Sequence, residues 1–148
     1  MATTLLKKSD LFKKIIPEEI KILSTLALEK TFPTGTIIFS QTDRAENVYL
    51  LENGRVALKT SLTTGLEITY EMIEKKGDPF GWSSLIEPFR HMTTAICLEP
   101  TEVLLFSRKD LFKLFPKNPH LGYVIMQNLC QLLASRLERT RRLLVGQI

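Results

Sequence analysis

Between Pro33 and Arg108 turn signals recur at short intervals, and no long helix can run through the middle of this chain. Gly35 precedes Thr36-Ile37-Ile38-Phe39, Asn53-Gly54 separates VYLLE from RVALKT, and Thr64-Gly65 separates the next strand from LEITYEMI. Asn-Gly between apolar runs is the strongest short hairpin signal, so Gly54 is expected to join two paired strands. Strand-like runs follow at TTAICLE and TEVLLFSR. Many short strands at this spacing predict an antiparallel β-roll over residues 33–106.

Helices are expected on either side of the roll. Residues 1–32 form the predicted lead-in, with Ser9 as the cap for DLFKKI. Pro17 then begins a second piece whose first turn carries Glu18 and Glu19. Ile20, Ile22, Leu23, Leu26 and Leu28 continue it as an apolar stripe. Beyond the roll, Ser107 caps a short helix over 107–115, Pro116 stops it, and Asn118-Pro119 opens the longest helix, 119–144. That helix is apolar on two sides. One stripe is Leu121, Ile125, Leu129 and Leu132; the other is Tyr123, Met126, Cys130, Leu133 and Leu137. Both must be buried, the first on the roll and the second on another copy, so a homodimer through this helix is expected. The reading is one domain, 1–148, of α+β class: an antiparallel β-roll with N-terminal helices and a long C-terminal helix.

With 148 residues, 44% of them hydrophobic, the chain can bury a core without metals or disulfides. The opening residues lack a signal-peptide core and no 18-residue apolar run occurs, so a cytoplasmic protein without a membrane partner is expected. Cys97 and Cys130 read as buried small hydrophobes in a reducing compartment. Arg136, Arg139, Arg141 and Arg142 crowd the C-terminal end. They fit either a solvated helix end whose cations suit the macrodipole or a weak, salt-sensitive nucleic-acid contact.

The chemistry concentrates in GDPFGWSSLIEPFRHMTT, 77–94. Glycines around a short helical turn, followed by a guanidinium, are a way to hold an anion. The candidate pocket is Gly81, Trp82, Ser83, Ser84, Arg90, His91 and Thr93, with the serine hydroxyls expected to cap first-turn N–H groups. His91 reads either as a group titrating beside a phosphate or, preferably, as a surface histidine. Thr93 and Thr94 alternate on a strand, so only one faces a pocket, and Thr93 is chosen. No nucleophile–base pair is legible, and His91 and His120 are the only histidines, in different elements. No enzyme, metal or resident cofactor is expected.

The order of elements, together with GTIIFSQTDRAENVYLLENGRVAL (35–58), GDPFGWSSLIEPFRHMTTA (77–95) and LEPTEVLLFSRKDLFKLF (98–115), resembles the cyclic nucleotide-binding domain of bacterial catabolite-activator regulators. The resemblance implies a double-stranded jelly-roll, cupin-like in build, with Gly35 in the turn before a strand and Tyr49 pointing into the roll. It places a phosphate-binding cassette at 77–94, packed near the long helix. It also implies signal transduction by a ligand-sensing domain. In catabolite-activator regulators a winged helix-turn-helix follows the long helix; this sequence stops at Gly146-Gln147-Ile148, so sequence-specific DNA binding by the chain alone is not expected.

Two departures from the family pattern bear on the ligand. Family members that bind cyclic nucleotides carry a glutamate after Phe-Gly, accepting hydrogen bonds from the ribose 2′-hydroxyl; here Trp82 follows Phe80-Gly81. The arginine that pairs with the cyclic phosphate is out of its usual setting, and Arg90 is the nearest candidate. Losing one charge-assisted hydrogen bond costs about 1.5–3 kcal/mol, roughly ten- to a hundredfold in affinity. The expectation is a sensor of a small anionic ligand, a different nucleotide or a flat acid, that does not bind cyclic AMP in the usual way and reports to an unidentified protein partner. The alternatives are a ligand-free interaction module of the same fold and the sensory half of a transcription regulator.

Overall fold

The computed structural model describes residues 2–146; Gln147 and Ile148, on which the reading of the chain end partly fell, lie outside the described residues. Helices α1 (Ala2–Lys8) and α2 (Pro17–Leu26) lead into eight strands: β1 (Leu28–Phe32), β2 (Ile37–Phe39), β3 (Asn47–Asn53), β4 (Val56–Ser61), β5 (Glu67–Ile73), β6 (Pro79–Phe80), β7 (Thr94–Cys97) and β8 (Thr101–Ser107). A 3-10 turn, Trp82–Leu85, interrupts them, and α3 (Arg108–Leu114) and α4 (Pro119–Leu144) close the fold. The strands form two antiparallel four-stranded sheets, ordered β1-β8-β3-β6 and β2-β7-β4-β5. This is the expected α+β roll with its long terminal helix.

The centre of the first sheet, β8 and β3, is buried on both faces, which explains the unbroken apolar runs in those strands. Val48, Leu50, Leu104 and Phe106 face a core shared with the helices, where they meet Phe12, Leu23, Leu121 and Ile125. Tyr49, Leu51, Val103 and Leu105 point the other way, into the roll, against Phe39, Val56 and Leu58 of the opposite sheet and Phe80 of β6. The register Val48↔Phe106 and Leu50↔Leu104 keeps like faces together. Tyr49 stacks on Phe80 at 5.0 Å inside the roll, and burial raises its phenol pKa.

Asn53-Gly54 does not make a hairpin. β3 and β4 belong to different sheets, so the chain turns a corner there instead of pairing with itself. Glycine is required for another reason: Gly54 has φ +110°, and a Cβ would stand 2.6 Å from both Pro100 O and Thr101 Oγ1. The second glycine turn does join a paired hairpin, β4 to β5.

Three further expectations need correction. The lead-in stops being helical at Leu26, because Ala27 is extended and Leu28–Phe32 bond the free edge of β8, leaving Leu28 exposed on β1. Ser9 follows α1 and caps no helix: Lys14 has φ +66°, and the Asn128 amide takes the Leu11 and Lys13 carbonyls at 2.9 and 2.8 Å. Cys97 is buried as expected, with burial raising its thiol pKa, but Cys130 is exposed on α4. Other local signals are realised. Ser107 Oγ accepts from Asp110 N at 3.0 Å, and Pro17 opens α2.

The first stripe of α4 is buried through Leu121, Ile125 and Leu129, with Leu132 packed at its edge. The second stripe divides. Tyr123, Cys130 and Leu137 stay exposed, while Met126 and Leu133 pack partly against the helical core. No helix among the described residues is long and apolar enough to cross a membrane.

Candidate functional site

The 3-10 turn is built on Gly81, which has φ +76° and whose missing Cβ would lie 2.9 Å from the Tyr49 ring. Close approach to β3 and a left-handed backbone therefore both demand glycine there. From this turn Trp82 reaches back toward the helical core, where it is partly buried. It also fronts a cavity of about 270 Å³ between the roll and α4. Phe39, Leu58, Thr60 and Tyr70 supply the roll side, Gly81, Ser83, His91, Met92 and Thr93 the cassette side, and Leu133 and Arg136 the helix side.

Of the predicted pocket residues, the structure places Gly81, Trp82, Ser83, His91 and Thr93 on this wall, and neither Ser84 nor Arg90. Ser84 is fully buried and its hydroxyl donates to Gly81 O at 3.0 Å, so it ties the turn to itself and caps no N–H. Arg90 is exposed. The segment around it is pinned against residues 42–45 by Ala45 N to Phe89 O at 2.7 Å, His91 N to Asp43 O at 2.9 Å and Thr42 N to His91 O at 2.8 Å. Side chains alternate on such a strand-like piece, so His91 turns inward and Arg90 outward. Neither Glu87 nor Glu99 forms an ion pair with Arg90 among the described residues. The cassette side chain that rims the cavity mouth after this is Met92, 71% exposed.

His91 is not a surface histidine. It is 5% exposed, its ring lies on Phe39 at 3.6 Å and 6°, and burial lowers its pKa to about 4 against a weaker opposing pull from Asp43. Its imidazole is neutral at neutral pH.

Arg136 was legible only as one of a terminal cluster, yet it supplies the one cation on the cavity wall among the described residues. Its Nε donates to Glu71 Oε1 at 2.7 Å, a second guanidinium nitrogen meets Glu71 Oε2, and its plane lies 5.3 Å over the Trp82 ring. Arg139 reaches the same carboxylate at 3.6 Å and sits over Tyr70. Arg141 and Arg142 are held by Glu138 at 2.7 and 3.2 Å, which lowers the Glu138 pKa. The four arginines thus share two carboxylates, which favours the solvated helix end over a nucleic-acid contact. Spacing offered one signal for Arg136: it follows Leu133 of the second stripe by three residues, on the next turn of the helix.

A larger depression of about 340 Å³ lies over α1 and β1, lined by Glu29, Lys30, Glu52 and Glu102 among others. It gathers none of the cassette residues. No group of histidine, cysteine or acidic side chains among the described residues is arranged to hold a metal.

A sequence profile of the cyclic nucleotide-binding domain matches residues 29–118. The chain belongs to this family. Among curated relatives, a cyclic AMP receptor protein of Thermus thermophilus is 32% identical over 89% of this chain and 59% of its own length. A CRP-like cAMP-activated global transcriptional regulator of Mycobacterium tuberculosis is 24% identical over 97% of this chain and 62% of its own. The chain therefore spans about three-fifths of these relatives. Among solved structures, the Thermus thermophilus catabolite activator protein superposes with a TM-score of 0.79 at 31% identity, covering 92% of this chain and 62% of that one. A cyclic nucleotide-binding domain of Methylobacillus flagellatus, at 22% identity, shares the fold with a TM-score of 0.84 over 99% of this chain and 83% of its own. Within this family fold, the turn of this domain presents an indole after Phe80-Gly81, and Arg90 lies off the cavity.

Proposed function

We propose that this domain is a ligand-responsive regulatory module in which the occupant of the cavity acts on α4, and that the occupant is not cyclic AMP held in the family manner. One observation carries the reading: Leu133 and Arg136 of α4 wall the cavity, while Tyr123 and Leu137 of the same helix remain exposed. Whatever fills the cavity therefore touches the helix whose outer stripe is free to pair with a second copy. A ligand that favours one placement of α4 shifts that pairing by its difference in affinity between the two placements. Two relatives are named for cyclic AMP. Carrying that ligand over would ask for a ribose acceptor at position 82 and an unpaired cation, where this domain has Trp82 and a guanidinium already engaged by Glu71.

The test is to fill the cavity without touching the outer stripe. Thr60→Phe, on the roll wall, is expected to change the monomer–dimer constant by at least threefold in sedimentation equilibrium and to alter amide exchange along α4. Unchanged association and exchange would show that the cavity does not communicate with the helix. Calorimetric titration with cyclic AMP is expected to give no binding in the micromolar range, and micromolar binding would return the domain to the usual ligand.

A further inference from the structure

His91 is more than nine-tenths buried, yet it sits on the cavity wall. No hydrogen bond reaches its ring nitrogens among the described residues, and no sealed side-chain nitrogen or oxygen there lacks a partner. The nitrogen edge of the ring must therefore open onto free space, and the cavity is the space beside it. Phe39 covers one face of the imidazole and fixes its plane. Asp43 is the charged group near enough to act on the ring, and burial outweighs it, so the ring presents one neutral donor and one acceptor.

The charges around the cavity point the same way. Arg136 is committed to Glu71 along its edge and to Trp82 across its face, and Arg139 shares Glu71. An entering phosphate or carboxylate would find no unpaired cation on the wall among the described residues. It would have to expel a nearly buried carboxylate or stay unpaired in a poorly solvated site. The rest of the wall is broad and apolar: Phe39, Leu58, Tyr70, Trp82, Met92 and Leu133. Its volume of about 270 Å³ lies just below the ~300–1,000 Å³ usual for small-molecule sites, which favours a compact ligand.

We propose that the cavity takes an uncharged planar aromatic molecule with a hydrogen-bonding edge, oriented by the His91 imidazole. This rests on the sensing role argued above and names its ligand class. The aromatic body lies among the apolar walls, and the polar edge exchanges a hydrogen bond with the imidazole.

The experiment compares 2-naphthamide with 2-naphthoate, which share shape and differ in charge, by calorimetry on the full chain. Wild type is expected to bind the amide at least tenfold more tightly than the acid. His91→Phe keeps the stack on Phe39 and removes the nitrogens. It is expected to weaken the amide about tenfold, the worth of one hydrogen bond, while thermal melting shows the variant folded. Equal or tighter binding of the acid by wild type overturns the proposal, and needs no variant to be informative. Undiminished amide affinity in folded His91→Phe overturns it too, as does absence of binding by the amide. None of these outcomes touches the coupling of cavity to helix, which Thr60→Phe judges without any ligand.

Discussion

Glu71→Gln tests how α4 is fastened to the roll. The Glu71 side chain is 9% exposed and that of Arg136 19%, and the two make a two-point contact between β5 and the helix. Removing one partner of a buried ion pair costs about 3–5 kcal/mol, chiefly because the other charge is left without compensation. The cost here is smaller, because Arg136 keeps some solvent and glutamine retains one acceptor, so about 2–3 kcal/mol is expected. For a chain of this length each kcal/mol moves the melting temperature by about 2–4 °C, giving a fall of roughly 4–12 °C. Urea unfolding supplies the free energy directly. Adding Arg136→Met to Glu71→Gln removes the stranded charge, and the double variant is expected to recover at least about 1 kcal/mol relative to the summed single effects. A loss below about 0.5 kcal/mol for Glu71→Gln, or strict additivity in the double variant, would refute the assignment of this pair as the fastening.

Gly54→Ala must strain a φ of +110° and push a methyl into the Pro100–Thr101 backbone, so a loss of about 2–4 kcal/mol is expected in urea unfolding; a loss under ~1 kcal/mol would mean the corner relaxes freely. His91 has its folded pKa lowered to about 4 from 6.5, so the unfolded chain binds the extra proton between those values and stability falls as pH drops from 6.5 toward 4. The contribution is on the order of 3 kcal/mol in full, present above pH 6.5, and His91→Phe is expected to flatten that part of the melting-temperature profile; an unchanged slope would assign it to other groups. Trp82→Glu is expected to cost about 2 kcal/mol through lost packing and to leave cyclic AMP binding undetectable by calorimetry, because among the described residues no free guanidinium joins the new carboxylate at the cavity. The proposed pairing through α4 predicts that Tyr123→Glu with Leu137→Glu leaves the melting temperature within a few degrees and abolishes dimer in sedimentation; a persisting dimer would place the seam elsewhere.

Many local signals were legible where the physics is local, although Ser9 capped no helix. Ser107, Pro17 and Gly35 announce their caps and turns because a cap or a φ is decided within a few residues. Asn53-Gly54 shows the limit: the dipeptide specifies a reversal, but whether the flanking strands pair depends on β8 and β5 competing for their edges. The cassette was found as a segment, yet which of its side chains face inward followed from pairing with residues 42–45, far off in sequence. That pairing turned His91 in and Arg90 out. The Glu71–Arg136 contact joins β5 to α4, and neither residue carries a motif that announces the other.

The placement of β8 has a consequence for how this chain can be made. β8 lies between β1 and β3, so the sheet that starts near residue 28 cannot be completed until residues 101–107 have arrived. A nascent chain emerging from a ribosome holds β1 and β3 without their shared partner until β8 has been made. Any truncation before Ser107 leaves the same two edges open, so such fragments are expected to need a chaperone or to aggregate. Completion of the first sheet is therefore late, and α4, which walls the cavity, follows β8 in the chain.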